Sequence, residues 1–274
     1  MIGIFDSGVG GLTVAREIKK RIPERPIIYF GDTARVPWGN KSPEVVRGYC
    51  VQICDFLLSK GAVEIVIACN TASAFAAEYL REKYPQVRIH NVIDPVVEKV
   101  AGKNGNEEMK IGVIGTSGTI SSGVYERKIK DRNPEAEVFS QACPLFVPLI
   151  EEGWGNSEVV KIVVEKYLSG LQEQGISKII LGCTHYPFLK SAISYVMGST
   201  VALVSSDVET ANDVYRELLA GGLERRIDRP PQHRFEATGQ NTAEFIRLAG
   251  RFLGPEITSV DLVETGAIHL PRSL

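Results

Sequence analysis

The chain has no long apolar segment, because nowhere do about 20 apolar residues run together, the length that a membrane-spanning helix needs. Its N-terminus also lacks the basic region and apolar stretch of a secretory signal peptide. These two absences predict a cytoplasmic protein with no membrane association.

An excess of charge of either sign is also missing. The 274 residues include 31 Lys and Arg against 33 Asp and Glu. This balance gives the chain no general attraction to a polyanion, so we expect no nucleic-acid partner. A content of 44% hydrophobic and 23% charged residues is typical of an ordinary globular protein.

Cysteines are few, and the five that occur form no Cys-x-x-Cys pair. A chain of this length needs no disulfide framework, so we expect reduced thiols. No group of Cys and His has zinc-site spacing, and we expect no bound metal. Cys50, Cys54 and Cys143 lie in apolar patterns and are predicted to be packing residues. Cys69 and Cys183 have a different setting.

Two similar segments, 65–71 and 179–185, each place a cysteine where an apolar run ends. We interpret the runs as buried strands, which puts Cys69 and Cys183 at carboxyl ends of strands, where open α/β sheets bind ligands. Segments 2–8 and 111–117 form a second similar pair at nearly the same offset. A nearly constant offset predicts an internal duplication, with both cysteines facing a shared cleft.

Strand-like apolar runs alternate with amphipathic helical patterns along most of the chain, which predicts α/β architecture with mostly parallel sheets. The predicted strands lie at 2–5, 27–30, 63–68, 88–92, 110–115, 136–140, 177–182 and 200–204. The predicted helices include 11–21, 43–59, 71–83 and 157–173. Together with the duplication, this predicts two similar α/β domains and an active site in the cleft between them.

The polar segment 102–108 is predicted to be a surface loop between the halves, with the domain crossing near 94–95. Beyond the second half lie one more helix, a break at 230–231, a strand near 234–237 and a helix near 241–252. We expect this tail to pack onto the first half. The predicted domains are 1–95 plus 207–274, and 96–206.

Several residues at the predicted strand ends suit acid–base chemistry. A thiol at a helix N-terminus is expected to have a lowered pKa and to be a usable base, although Cys69 or Cys183 could also be a buried packing residue. Asp6 could accept a thiol proton or cap a helix. His185 lies close enough to share a proton with Cys183, but it could also be structural.

The glycine-rich segment 6–11 follows the first predicted strand and opens a helix. Its exposed backbone amides could hold an anion such as a carboxylate. The segment lacks the GxGxxG spacing of a dinucleotide site, and nothing completes that fingerprint. A carboxylate-bearing small molecule is therefore favoured over a nucleotide.

Taken together, these motifs resemble the cofactor-independent aspartate/glutamate racemase family over nearly the whole chain. The matching segments are FDSGVGG at 5–11, GDTARVPWGNKS at 31–42, ACNTAS at 68–73, GTSGTI at 115–120, CPLFVPLIE at 143–151 and GCTHYP at 182–187. The resemblance implies racemisation of glutamate by two bases, D-glutamate supply for peptidoglycan, no cofactor, and a homodimer.

The resemblance also implies a role for individual residues. Cys69 would act on D-glutamate with help from Asp6, and Cys183 on L-glutamate with help from His185. Glu151 stands where the family often has a further acidic residue near that histidine. The predicted substrate-binding residues are Ser7, Pro37, Trp38, Gly39, Asn70, Thr71, Thr116, Thr119 and Thr184.

One position departs from the family pattern, since Trp38 occupies the place of a usual tyrosine. The larger ring is expected to alter the rim of the pocket. Three alternatives stay open at the level of sequence: an aspartate or hydantoin racemase, a thiol-redox protein, and a non-catalytic two-lobed protein that binds an amino acid.

Overall fold

The computed structural model describes residues 1–101, 109–155, 157–221, 231–255, 257–264 and 266. The predicted loop at 102–108 lies outside the described residues, as does Pro230 of the predicted break. Among the described residues, no helix is long and apolar enough to cross a membrane.

Within the described part of the chain, ten strands form two sheets. The strands are β1 (Ile2–Asp6), β2 (Ile27–Gly31), β3 (Glu64–Ile67), β4 (Arg88–Asn91), β5 (Lys110–Gly115), β6 (Glu137–Ala142), β7 (Lys178–Gly182), β8 (Ala202–Ser205), β9 (Arg234–Ala237) and β10 (Asp261–Leu262). Each of the eight predicted strands is present, with bounds that differ by no more than a few residues.

The helices surround these strands and follow them in the chain. They are α1 (Leu12–Arg21), α2 (Pro43–Ser59), α3 (Asn70–Lys83), α4 (Asp94–Val100), α5 (Ser117–Ser121), α6 (Val124–Arg132), α7 (Phe146–Glu151), α8 (Glu158–Glu173), α9 (Lys190–Met197), α10 (Ser206–Ala220) and α11 (Thr242–Phe252). Short 3-10 turns cover Thr33–Arg35, Trp38–Asn40 and Tyr186–Leu189.

The two sheets share a strand order. One runs β10-β9-β2-β1-β3-β4 and the other β6-β5-β7-β8, and the described pairings are parallel. The order β2-β1-β3-β4 therefore matches β6-β5-β7-β8, as the predicted duplication requires. The predicted α/β class with mostly parallel sheets is confirmed.

Helix α2 illustrates how local sequence fixes an element. The hydroxyl of Ser42 caps its N-terminus by accepting from the Val45 amide, and Pro43 occupies the first turn, where its missing N–H costs nothing. Apolar residues at helical spacing then form a buried face, which includes Cys50 and Cys54. The prediction that these two cysteines pack in the core is confirmed, and Cys143 is also fully buried.

The C-terminal tail returns to the first sheet, as predicted. Strand β9 pairs with β2 in parallel, and β10 extends the sheet beyond β9. Helix α11 buries Phe245, Leu248 and Phe252. The predicted crossing near 94–95 falls at the first residues of α4. The exact domain boundaries remain a prediction.

Candidate active site

A cavity of about 390 Å³ opens where strands of both sheets reach their carboxyl ends. It is lined by the predicted site residues Asp6, Ser7, Pro37, Trp38, Gly39, Cys69, Asn70, Thr71, Thr116, Glu151, Cys183, Thr184 and His185. Asp6 ends β1 and Thr116 follows β5, so the central strand of each sheet delivers one of these side chains. The structure thus brings residues from the two halves of the chain to one cavity.

Cys69 lies between β3 and α3 and serves as the N-cap residue of that helix. Its Sγ is 3.6 Å from Ser7 Oγ. The neighbouring Asp6 accepts a hydrogen bond from the Gly8 amide through Oδ2, at 3.1 Å. Its Oδ1 is buried and has no hydrogen-bond partner among the described residues. Asp6 therefore offers a buried acceptor oxygen close to the Cys69 thiol.

The expected lowering of the Cys69 pKa is wrong. The pKa of this thiol is raised to about 12, mainly by burial. The negative charge of the nearby Asp6 also raises it, and this effect is larger than the opposing effect of the backbone amide of Ala72. Burial likewise raises the pKa of Asp6, against the opposing charge of His185 and the amides of Gly11 and Gly8. Desolvation thus outweighs the helix N-terminus, whose effect is felt mainly in the first turn.

Cys183 follows β7 and has different neighbours. His185 Nδ1 lies 3.9 Å from Cys183 Sγ, and its Nε2 lies 2.9 Å from Glu151 Oε1. Burial alone would lower the pKa of His185, but Cys183 and Glu151 outweigh that effect and raise it to about 10. The imidazole is therefore held charged between a carboxylate and a thiol, in a position to move a proton to or from Cys183.

Three threonine hydroxyls meet where the two halves approach each other. Thr71 lies 2.9 Å from Thr116 and 3.3 Å from Thr119, and Thr116 lies 3.0 Å from Thr119. Thr119 is 1% exposed and does not line the cavity. Its hydroxyl instead lies behind the other two and orients them, which differs from the direct contact that we predicted.

The side chain of Asn70 is held by residues that sequence reasoning missed. Its Oδ1 accepts from the Tyr125 hydroxyl at 2.7 Å, and its Nδ2 lies 3.4 Å from Ser206 Oγ. Both partners are buried. They are distant in the sequence, and no local pattern connects them to Asn70.

Pro37, Trp38 and Gly39 approach the cavity from the first half. The Trp38 ring is 2% exposed and tilts against Tyr49, with ring centroids 5.6 Å apart. Its Nε1 has no hydrogen-bond partner among the described residues. A β-carbon on Gly39 would come within 3.0 Å of the Thr116 β-carbon, so this glycine allows the two halves to meet closely.

Further residues line the cavity that were not predicted to do so. They are Gly8, Val36, Asn40, Ser117, Pro144, Val147 and Pro148. All seven lie inside the quoted motifs, so a motif-wide reading would have found them. Val147 and Pro148 come from α7, the short helix that ends in Glu151.

Comparison with known proteins gives a consistent result. A family model described as Asp/Glu/Hydantoin racemase matches residues 12–206. The chain is 48% identical to the glutamate racemase of Leifsonia xyli subsp. xyli over 271 residues, which cover 98% of this chain and 97% of that protein.

Solved structures agree over a similar length. A glutamate racemase isoform from Bacillus anthracis has a TM-score of 0.90 at 38% identity, with 97% of each chain covered. A glutamate racemase from Francisella tularensis in complex with D-glutamate has a TM-score of 0.88 at 35% identity, with 96% of each chain covered.

Proposed function

The chain belongs to the Asp/Glu/hydantoin racemase family, and we propose that it interconverts L- and D-glutamate by proton transfer at Cα with two cysteine bases. The observation that carries this proposal is that Cys69 and Cys183, from equivalent places in the two sheets, line the same cavity. Two such groups on opposite faces of one carbon allow one to remove a proton while the other delivers a proton to the opposite face.

On the Cys69 side, the substrate itself supplies the positive charge that favours the thiolate. Burial disfavours the thiolate of Cys69, whose pKa is raised to about 12. The α-ammonium group of glutamate would bring a positive charge next to the thiol and favour its ionised form. The unpartnered Oδ1 of Asp6 would accept the thiol proton or a hydrogen bond from that ammonium group.

On the Cys183 side, the protein supplies the charge. The protonated His185, paired with Glu151 at 2.9 Å, can give a proton to Cys183 and take one back from it. In one direction of the reaction Cys183 removes the Cα proton of L-glutamate while Cys69 donates to the opposite face. In the other direction Cys69 removes the proton from D-glutamate and Cys183 donates.

The proton on Cα is weakly acidic because loss of it adds negative charge beside a carboxylate. Fixed donors around that carboxylate lower the barrier, since they need no rearrangement when the charge develops. We expect the hydroxyls of Ser7, Thr71 and Thr116, which line the cavity, to act in this way together with backbone amides of the loops around them. Thr119 keeps two of these hydroxyls in position.

We further propose a cytoplasmic homodimer whose D-glutamate supplies peptidoglycan synthesis. The supporting observation is full-length similarity to bacterial proteins named glutamate racemase. Sedimentation or light scattering of the purified protein tests the dimer. A concentration-independent monomer would contradict it.

The test of the reaction is incubation with L-glutamate in deuterium oxide without added cofactor. We expect deuterium at Cα by NMR together with loss of the circular dichroism signal. Cys69→Ala and Cys183→Ala should abolish racemisation, whereas Cys143→Ala, a change at a buried cysteine outside the cavity, should not.

The assignment of each thiol to one enantiomer has its own test. Cys183→Ala keeps Cys69 and should still exchange the Cα proton of D-glutamate without inversion. Cys69→Ala keeps Cys183 and should still exchange the Cα proton of L-glutamate without inversion. Exchange of the opposite enantiomer would reverse the assignment. Turnover of aspartate but not glutamate would keep the mechanism and change the substrate, and binding of glutamate without exchange would reject catalysis.

A further inference from the structure

Away from the cavity, His90, Asp213 and Glu217 bring three potential metal-ligand atoms to within 4.8 Å of one another. His90 lies in β4, at the edge of the six-stranded sheet, and the two acidic residues lie in α10. Asp213 and Glu217 are four positions apart and so occupy the same face of the helix. His90 Nδ1 is 3.8 Å from Asp213 Oδ2 and 3.9 Å from Glu217 Oε2.

The imidazole of His90 is buried between carboxylates that it approaches only at long distances. The residue is 3% exposed, and its Nε2 has no hydrogen-bond partner among the described residues. The two distances from Nδ1 are too long for hydrogen bonds. A buried polar ring that is aimed at two carboxylates without touching either leaves room for an ion between them.

A third carboxylate lies on the far side of the ring. Glu64 Oε2, from the adjacent strand β3, is 3.5 Å from His90 Nε2, and Glu64 is itself buried. Metal-bound histidines usually have a carboxylate beside the second ring nitrogen. With a short approach to Nε2, that carboxylate would hold the proton there and leave the lone pair of Nδ1 for the ion.

The spacing suits an ion after a small movement. Bonds of about 2.0–2.2 Å at a tetrahedral angle separate two ligand atoms by about 3.4 Å, so each carboxylate must approach Nδ1 by roughly half an ångström. The Glu217 side chain is 47% exposed and free to move that far. Arg216 Nη2 lies 3.0 Å from Asp213 Oδ1, which leaves Oδ2 for the ion.

One competing cation is close. Arg88 Nε lies 3.5 Å from Glu217 Oε2, and its side chain is 46% exposed, so it can turn into solvent. A divalent ion that touches both carboxylates and the imidazole neutralises more charge than this single long contact does.

We propose that His90, Asp213 and Glu217 form a binding site for a divalent transition-metal ion of the Zn²⁺ type, separate from the racemase site. One imidazole nitrogen, two carboxylate oxygens and a water molecule satisfy the four-coordinate preference of zinc. The ion would fasten α10 to the edge strand β4. No sequence pattern reveals the site, because His90 is far from the other two ligands along the chain.

The test uses the full chain carrying Cys69→Ser and Cys183→Ser, since the thiols of the cavity can also bind zinc. After treatment with EDTA and removal of the chelator, ZnCl₂ is titrated by calorimetry. We expect a single zinc ion to bind. His90→Asn and Glu217→Gln, each made in this background, should weaken binding by about tenfold or more.

Glu98→Gln is the matched control. Glu98 pairs with Arg216 beside the cluster but contributes no ligand, so its variant should bind zinc like the background protein. Circular dichroism checks that each variant folds. Glu217 is on the helix surface, so Glu217→Gln should fold. If His90→Asn does not fold, the zinc affinity of Glu217→Gln is the test of the proposal. The proposal is overturned if the background protein binds no zinc, or if loss of the ligands leaves the affinity unchanged.

Discussion

Gly10 packs so tightly against His185 that a β-carbon on the glycine would overlap the imidazole Nδ1 and the hydroxyl of Thr184. Gly10 belongs to the glycine-rich segment after β1, whereas His185 follows β7. The Thr13 hydroxyl strengthens the same junction by donating to the carbonyl oxygen of Thr184 at 3.1 Å. The first sheet therefore sets the position of the histidine that serves the second.

Gly10→Ala should reduce kcat/KM by about 100-fold, because displacing a catalytic group by about 1 Å has effects of that size. Steady-state kinetics with both enantiomers measures the change. Gly48→Ala is the control, since a β-carbon there meets nothing within 4 Å. Near-normal activity of Gly10→Ala would show that His185 does not need this position.

The raised pKa of His185 predicts how stability depends on pH. The folded protein holds a proton on His185 up to a pKa of about 10, whereas the unfolded chain releases it near the ordinary value of 6.5. The folded state thus binds more protons between these values, and the stabilisation, complete below 6.5, declines as the pH rises. The slope cannot exceed about 1.4 kcal/mol per pH unit for one proton.

Urea unfolding of the wild type and of His185→Gln between pH 6.5 and 8.5 measures this effect. The wild type should lose more stability over this interval than the variant does. NMR of the labelled imidazoles provides a second readout. The signal of His185 is identified by its absence from the variant, and it should remain that of an imidazolium above pH 8. Parallel stability curves would reject the raised pKa.

Tyr125→Phe tests the support of Asn70. The change removes a buried hydrogen bond to Asn70 Oδ1, so we expect a loss of about 1 kcal/mol of stability and a several-fold higher KM. Tyr186→Phe is matched, because its buried hydroxyl donates to the Cys143 carbonyl instead, at 2.9 Å. It should lose similar stability with little change in KM. Equal KM values for the two variants would argue against a role of Asn70 in binding.

Arg251 connects α11 to the end of α7. Its Nη1 donates to the carbonyl oxygens of Ile150 at 2.9 Å and Glu151 at 3.2 Å. Arg251→Met should loosen Glu151 and lower kcat/KM about fivefold, the equivalent of one hydrogen bond of about 1 kcal/mol. Kinetic assays check this against Arg132→Met on an exposed part of α6. Equal rates in the two variants would mean that Arg251 is not needed to hold Glu151, a task that Arg247 of the same helix can share through its own bond to the Glu151 carbonyl oxygen at 3.2 Å.

The two sheets were predictable because their strands are short apolar runs bounded by Gly, Pro, Asn or charged residues. The pairing of Cys69 with Cys183 could also be predicted, because the repeated segments that carry them occupy equivalent positions in the two sheets. Long-range partners such as Tyr125 leave no trace in local sequence. The pKa of Cys69 was misjudged because a helix terminus is a local feature, whereas desolvation depends on everything packed around the thiol.

The two thiols have unequal neighbours, an aspartate and a serine at Cys69, a histidine and a glutamate at Cys183. Mirror-image molecules have the same free energy in water, so kcat/KM must be equal in the two directions whatever these neighbours are. The unequal neighbours can change kcat and KM only together, so that an enantiomer with a lower KM also has a lower kcat. An asymmetric pair of acids and bases thus controls how fast the enzyme runs when either form is plentiful, while the final mixture stays even.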